Sequence, residues 1–234
     1  MEKSKINKNE SMESIETYLK VNFSKEDEIG RIKYTLGKLD WFIKQGYKIN
    51  LPDKIKEISD QGRIPTDDEI SEAVSAEFNQ KEYEEKTQDL IQKWEKMRED
   101  FLKKLATLGL PLQPEYRVTF TKYGVGGSYD LPNKIKINFD YSYARNTLAT
   151  TFHEIIHLTI ENLIKEYNIS HWTKERLVDL VYSKFFPAEQ RLQRNPEKSE
   201  RVDEIFSHFF PDIERIIHEV CKLNKEEFTT KEKL

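Results

Sequence analysis

Two histidines and a glutamate stand within five consecutive residues, His153-Glu154-Ile155-Ile156-His157. In a helix, residues i and i+4 lie one turn apart on the same face, so both imidazoles can reach a single ion. Zinc favours nitrogen ligands of this kind, at about 2.0–2.1 Å in tetrahedral geometry. Glu154 points about 100° away around the helix, where its carboxylate can take a proton from a water held by the metal. The spacing therefore indicates a metal site with a general base beside it.

The segment around these residues is predicted to be a buried central helix over residues 146–165. A chain of this composition contains the His-Glu-x-x-His pattern by chance roughly 0.01 times. Two histidines and a glutamate in a buried helix are costly unless something satisfies them. The alternative is a pair of core histidines bonded to backbone, with Glu154 at a surface. The helix is apolar on most sides, through Leu148, Phe152, Ile155, Ile156, Leu158, Ile160, Leu163 and Ile164.

A catalytic zinc usually has three protein ligands and one open position, and the following helix offers the third ligand. Ser170 or Thr173 is predicted to cap this helix. Glu175 comes 18 residues after His157, enough for a turn and an antiparallel return. Asp179 lies one turn beyond Glu175 and can accept the outer N–H of a ligand histidine. The alternative for Glu175 is an exposed first-turn glutamate, favoured by the helix dipole.

Glu161 and His171 are rival third ligands. Glu161 lies a full turn past His157, so a straight helix carries it away from an ion held between the two histidines. His171 lies in the connecting turn and stays open as an alternative.

The set His153-Glu154-x-x-His157 with Glu175-x-x-x-Asp179 resembles the thermolysin-like, or gluzincin, class of zinc metallopeptidases. The resemblance implies that His153, His157 and Glu175 bind Zn2+. It also implies that Glu154 is the catalytic general base and that Asp179 supports a ligand histidine. It covers about residues 115–185, including the strands before the motif helix, where such enzymes place a substrate-aligning edge strand.

The sequence also departs from the patterns of zinc peptidases. Lys174 stands where an asparagine often precedes the third-ligand glutamate, and Ile160 and Leu163 replace the glycine and histidine of the metzincin extension. A peptidase transition state further needs an electrophile for the developing oxyanion. The candidates for this role are Tyr182, which shares a helix face with Glu175, and His208, His218, Tyr141 and Tyr143.

Two segments before the motif helix are predicted to be strands. Residues 117–123 and 134–141 alternate apolar and polar side chains and are rich in β-branched and aromatic residues. Gly-rich and Pro-containing turns separate them, which favours a short antiparallel sheet. No strand–Gly–Lys-Ser/Thr–helix arrangement follows the glycines, so a bent hairpin is preferred to a phosphate loop.

The N-terminal half is predicted to be helical over residues 15–110, after a disordered segment 1–14. Gly46 is a predicted helix terminator, and Thr66 with Glu69 forms a predicted capping box. The longest amphipathic pattern covers residues 80–108. These elements precede a predicted zincin-like domain at 112–225 and a charged tail at 226–234.

Composition excludes several classes of protein. The net charge of −4 argues against a nucleic-acid partner, because phosphate affinity comes mainly from excess lysine and arginine. No apolar run approaches the roughly 18 residues of a membrane span, and the N-terminus lacks the apolar stretch of a signal peptide. The sole cysteine, Cys221, excludes an intrachain disulfide. A cytoplasmic protein without a membrane partner is therefore expected.

These patterns predict an α+β protein in which helices precede a small zincin-like domain with a short antiparallel sheet and a central His-Glu-x-x-His helix. The predicted function is zinc-dependent hydrolysis of peptide bonds. The strand at residues 134–139 is expected to be an exposed edge that holds an extended, unstructured polypeptide substrate. The alternative is a strand already paired on both sides, with residues 117–123 and with a further strand. The alternative function is a non-catalytic metal-binding regulatory protein that acts through its helical N-terminal region.

Overall fold

The computed structural model describes residues 18–140, 146–189 and 200–231, and the side chains of the last helix as far as residue 223. The predicted disordered segment 1–14, and the side chains of the predicted tail 226–234, lie outside the described residues. The N-terminal part contains strand β1 (Tyr18–Asn22) and helices α1 (Lys25–Gly37), α2 (Leu39–Lys44), α3 (Asp53–Asp60), α4 (Asp67–Glu77) and α5 (Gln80–Ala106). The remainder contains strands β2 (Glu115–Thr121), β3 (Gly127–Asp130) and β4 (Lys134–Asn138), and helices α6 (Thr147–Glu166), α7 (His171–Phe185), α8 (Glu200–Phe209) and α9 (Ile213–Lys231).

The four described strands form one mixed sheet in the order β1-β2-β4-β3. Strands β1, β2 and β4 are parallel, and β3 is antiparallel to β4. The α+β class is confirmed, but the prediction of an antiparallel sheet is wrong for its main pairing. The sequence pattern predicts that the chain reverses its direction once between β2 and β4. Because the end of the Gly-rich segment forms β3, the chain reverses twice, and β2 and β4 run parallel.

Residues 18–22 lie in the stretch that the sequence predicts to be helical, and here too the prediction is wrong. They form β1, which pairs with β2 in the register Leu19↔Tyr116 and Val21↔Val118. Exposure alternates along β1, as expected for a strand with one face on the core. Helix α1 begins directly afterwards, where the Ser24 hydroxyl accepts a hydrogen bond from the Asp27 amide.

Helix α1 contacts the sheet through two buried charged side chains, Glu28 and Arg31. Glu28 accepts hydrogen bonds from the Tyr83 hydroxyl and from the Lys122 backbone amide. Burial raises the pKa of Glu28 to about 7, against the lowering effect of these hydrogen bonds. Arg31 donates to the Ser128 hydroxyl at 2.9 Å. The N-terminal helices therefore reach the strand that faces the motif helix.

The main hydrophobic core lies between the sheet and helices α5, α6, α7 and α9, and α6 is its central element. The Phe101 ring of α5 stacks on the Phe152 ring of α6, with centroids 4.0 Å apart. The prediction of a buried central helix is confirmed. This core takes residues from both halves of the chain. The predicted domain boundaries stay predictions. Among the described helices, none combines the length and the apolar character needed to cross a bilayer.

Candidate metal centre

Helix α6 places His153, Glu154 and His157 inside the protein. The Asn146 side chain caps the helix by accepting a hydrogen bond from the Leu148 amide. The helix then packs against β3 and β4 on one side and against α7 on another. Residues 148–158 of this helix are all buried, so the polar side chains among them need partners inside the molecule.

Helix α7 brings Glu175 to the two histidines. It begins at the predicted cap Ser170, whose hydroxyl accepts a hydrogen bond from the Thr173 amide. Glu175 is only 8 % exposed, which rules out an exposed first-turn glutamate. Its Oε2 atom lies 3.5 Å from His153 Nε2 and 3.3 Å from His157 Nε2. The two Nε2 atoms are 3.0 Å apart. The predicted antiparallel return of the chain therefore brings these three side chains together.

The three donor atoms fit a single metal ion. Ligands at about 2.0–2.2 Å from a tetrahedral zinc are separated from one another by roughly 3.3–3.5 Å. The observed separations of 3.0–3.5 Å are close to these values. In the part of the chain that the structure describes, no fourth metal-binding side chain joins this group. His153, His157 and Glu175 could thus hold a metal ion and leave one coordination position open.

The two histidines are oriented in different ways. Asp179 Oδ1 lies 3.6 Å from His153 Nδ1, where a carboxylate favours a hydrogen on Nδ1 and leaves Nε2 directed at the other donors. His157 Nδ1 is buried and has no hydrogen-bond partner among the described residues. Its ring instead stacks on Tyr129 of β3, with centroids 4.8 Å apart and an angle of 16° between the planes. The sequence pattern predicts the support from Asp179 but not the support from Tyr129.

Burial and mutual proximity together set the pKa values of the three donors. Burial lowers the pKa of His157 to about 4, which keeps its imidazole neutral and able to bind a metal. Burial also opposes ionisation of Glu175, but His157 and His153 outweigh it and hold its pKa well below the ordinary value. For His153, burial lowers the pKa, whereas Glu175, Glu154 and Asp179 raise it, and the net direction is upward. The site therefore favours an ionised carboxylate between two imidazoles.

Glu154 lies beside the donor group, against strand β3. It is 6 % exposed, and burial raises its pKa to about 7, with Glu175 adding to the increase. A Cβ atom on Gly127 would lie 2.2 Å from Glu154 Oε1. Only glycine at the start of β3 allows the carboxylate to occupy this position. Glu154 is thus buried beside the donors, which excludes the surface position of the alternative interpretation.

The rival third ligands, Glu161 and His171, lie outside the donor group. The Tyr129 hydroxyl donates to Glu161 Oε2 at 2.6 Å, and Lys174 Nζ donates to the Tyr129 hydroxyl at 2.8 Å. His171 lies behind Glu175, with its Nδ1 atom 3.8 Å from Glu175 Oε1. Neither Glu161 nor His171 is a member of the three-residue group.

The candidate electrophiles are not brought to the site where the structure describes them. The Tyr182 hydroxyl donates to Glu189 Oε2 at 2.8 Å. His208 is exposed and contacts Phe209, and His218 is exposed and contacts Tyr167. The remaining candidates, Tyr141 and Tyr143, lie outside the described residues.

Sequence reasoning did not identify Gly127 and Tyr129 as part of the site, and it did not predict that the positive charge of Lys174 acts there. Lys174 lowers the pKa of both Glu154 and His157 through its charge, within shifts dominated by burial. The sequence signal for Gly127 and Tyr129 is the short alternating run Gly127-Ser128-Tyr129-Asp130 at the end of the glycine cluster. It is too short to distinguish from a turn by periodicity alone.

Comparisons with protein-family models, with curated proteins and with solved structures give no significant match. Two buried imidazoles, one ionised carboxylate and an adjacent carboxyl group are the components of a metal site with a proton acceptor beside it.

Proposed function

We propose that this protein is a zinc-dependent peptidase in which Glu154 is the general base. The observation that carries the proposal is the convergence of His153 Nε2, His157 Nε2 and Glu175 Oε2 within 3.0–3.5 Å of one another, beside a buried glutamate. A set of two histidines and one glutamate with an open position is the usual ligand set of zinc in hydrolytic enzymes of this kind. A purely structural zinc site would instead have four protein ligands.

Each residue of the site would have a separate role in the reaction. His153, His157 and Glu175 would hold the ion, and Asp179 would keep the proton on His153 Nδ1. Zinc bound there supplies Lewis acidity toward a carbonyl oxygen and lowers the pKa of water. Glu154 would take a proton from the attacking water and then donate it to the nitrogen of the leaving amine. Its enclosed position between α6 and β3 holds the carboxylate at one place before substrate arrives.

The substrate would bind along β3, not along β4 as the sequence suggested. Strand β4 is paired on both sides, with β2 and with β3, so the prediction of a free edge at residues 134–139 is wrong. Among the described strands, β3 lies at the edge of the sheet. An exposed edge can take an extended peptide as an added strand, through backbone hydrogen bonds that demand little of the peptide sequence.

The register of β3 indicates which of its groups would bind the peptide. The Asn138 amide donates to the Gly126 carbonyl, so residues 126 and 138 form a hydrogen-bonded pair. Hydrogen-bonded and non-hydrogen-bonded pairs alternate in an antiparallel ladder, and Gly127↔Ile137 and Tyr129↔Ile135 are then of the second kind. The backbone groups of Gly127 and Tyr129 accordingly point away from β4. These two residues also contact Glu154 and His157, so a peptide added here would run beside the donors.

The test compares the protein with its Glu154→Gln variant. Both are loaded with zinc, the metal content is measured, and hydrolysis of a mixture of unstructured peptides is followed by mass spectrometry. The amide has the shape of the carboxylate but cannot take a proton, so the variant should bind zinc and lose hydrolysis. Equal hydrolysis by the variant would refute the role of Glu154. A zinc-loaded protein that cleaves no peptide would instead support the non-catalytic alternative.

A further inference from the structure

The N-terminal part of the chain also reaches the surroundings of the candidate metal centre through Tyr47, in the turn after α2. The Tyr47 hydroxyl lies 2.9 Å from His171 Nε2, and His171 Nδ1 lies 3.8 Å from Glu175 Oε1. Three side chains from two distant parts of the sequence are therefore connected by successive contacts, from Tyr47 through His171 to the Glu175 carboxylate. We propose that Tyr47 and His171 are positioning residues that orient Glu175 for the metal.

The two oxygen atoms of Glu175 face different groups. Oε2 faces the Nε2 atoms of His153 and His157, whereas Oε1 faces His171. A carboxylate that binds a metal through one oxygen can rotate unless its other oxygen is held. A hydrogen on His171 Nδ1 restrains that rotation electrostatically. The arrangement parallels the one in which Asp179 faces His153 on the other side of the site.

In this proposal the Tyr47 hydroxyl donates to His171 Nε2 and so sets which nitrogen of the ring carries the hydrogen. A neutral imidazole has one N–H donor and one acceptor nitrogen. When the Tyr47 hydroxyl donates to Nε2, the hydrogen of the ring is on Nδ1, which faces Glu175. Phenylalanine at position 47 would keep the ring but remove this control of the tautomer. The hydroxyl thus acts on Glu175 through His171, without contact with the metal.

The fold holds Tyr47 firmly in this place. Helix α2 ends in a Schellman motif in which the Gly46 amide donates to the Ile43 carbonyl and the Tyr47 amide to the Phe42 carbonyl, both at 2.9 Å. Gly46 has φ of 76°, which favours glycine. The motif turns the chain back toward the start of α7.

Aromatic contacts then fix the Tyr47 ring itself. It stacks on Trp41 at 5.9 Å and on Trp172 at 6.2 Å between centroids. Trp172 in turn donates from Nε1 to Gln45 Oε1 at 2.8 Å. Residues on both sides of the turn after α2 are therefore attached to the first turn of α7, which carries His171. This attachment gives the N-terminal helical region a role in shaping the metal centre.

The inference depends on the proposed metal site but not on hydrolysis, so it is tested by zinc affinity. Competition with a chromophoric chelator gives the zinc dissociation constant of the full-length protein and its variants. His171→Ala should weaken zinc binding about 10-fold, the lower end of the range for residues that support metal ligands. His171→Asn should restore much of this loss, because the asparagine amide places an N–H group where Nδ1 stood. Tyr47→Phe should weaken binding by a smaller factor, about 3-fold.

A double-mutant cycle separates positioning from general structural damage. If Tyr47 acts through His171, Tyr47→Phe should cause no further loss of affinity in the His171→Ala background. Tyr34→Phe is the matched control, because Tyr34 is exposed and its hydroxyl accepts from Lys38, the residue after α1. The zinc affinity of this variant should equal that of the unmodified protein. Thermal unfolding of the metal-free variants should show unchanged folding.

Two results would overturn the inference while leaving the peptidase proposal intact. One is a His171→Ala variant that binds zinc with the same affinity as the unmodified protein. The other is additive losses from Tyr47→Phe and His171→Ala. A protein that binds no zinc at all would overturn the inference together with the proposed function.

Discussion

Gly127→Ala tests whether Glu154 must lie where the structure places it. Gly127 is the first residue of β3, and its φ is not in the left-handed region, so the backbone accepts alanine. The added Cβ atom, however, would lie 2.2 Å from Glu154 Oε1, 2.9 Å from Glu154 Cδ and 3.0 Å from Thr150 Cγ2. The closest contact is the end of a flexible side chain. The variant should therefore fold and displace the Glu154 carboxylate.

The size of the effect follows from the distance. Normal contact between carbon and oxygen needs about 3.4 Å or more, so Oε1 must move by about 1 Å from the 2.2 Å position. A misplacement of about 1 Å in a reacting group can reduce a rate about 100-fold. We expect kcat to fall by about that factor. Zinc affinity should stay the same, because the new methyl group contacts Glu154 and Thr150 rather than the three donors.

The assay measures kcat on an unstructured peptide and the zinc dissociation constant of the same preparation. Gly30→Ala is the matched control, since a Cβ there meets nothing within 4 Å. In the helix α1 it should raise stability by roughly 0.5–1 kcal/mol and leave kcat unchanged. If Gly127→Ala retains full kcat, the position of Glu154 is irrelevant to the reaction. If it loses zinc in proportion to activity, displacement of the base is the wrong explanation.

Three further predictions concern ligands, stability and substrate. Glu175→Ala should abolish tight zinc binding, whereas Asp179→Ala should weaken it by roughly 10–100-fold; calorimetric titration with zinc distinguishes them, and the reverse order would make Asp179 the ligand. The pKa of Glu28 is about 7 in the folded protein and 4.5 in the unfolded chain, so the unfolded chain loses its proton first as pH rises. Ionisation of Glu28 therefore lowers the free energy of unfolding between about pH 4.5 and pH 7, by roughly 3 kcal/mol in total. Urea unfolding of metal-free protein should therefore show Glu28→Gln gaining stability over the unmodified protein at pH 8 but not at pH 4.5, and parallel pH curves would contradict this. Finally, a test protein that is cleaved when unfolded should resist cleavage when folded, and N-methylation of its backbone near the cleaved bond should raise KM; equal cleavage of the folded form would exclude binding as an added strand.

The donor residues could be predicted from sequence because a helix converts spacing into direction. His153 and His157 share a face of α6 through the i, i+4 relation, and Asp179 follows Glu175 by one turn of α7. The capping signals at Ser170 and Thr66 are equally local, and both caps form as expected. In each case the partners lie within four residues of one another.

Pairing of the strands could not be predicted in the same way, because it depends on residues far apart in sequence. One of the two parallel partners of β2 is β1, almost a hundred residues earlier, in a segment whose apolar spacing suits a helix as well as a strand. Strand β3 has four residues, and two of the three preceding residues are glycines. Burial against α6 stabilises it as a strand, and no local pattern records that contact.

The parts of the site supplied by these elements escaped prediction for the same reason. Tyr129 stacks on His157, Gly127 accommodates Glu154, and Tyr47 reaches His171 across 124 residues of sequence. Each contact depends on where a strand or a turn lies in the folded molecule. The side chains that support the site are thus less visible in the sequence than the donors they support.

Whether His153, His157 and Glu175 bind zinc can be seen in crystals of the protein grown with zinc, from anomalous data collected on both sides of the zinc absorption edge. We expect one anomalous peak at about 2.0–2.2 Å from His153 Nε2, His157 Nε2 and Glu175 Oε2, with the fourth position not filled by protein. A peak elsewhere, no peak at saturating zinc, or a fourth protein side chain bound to the ion would contradict it.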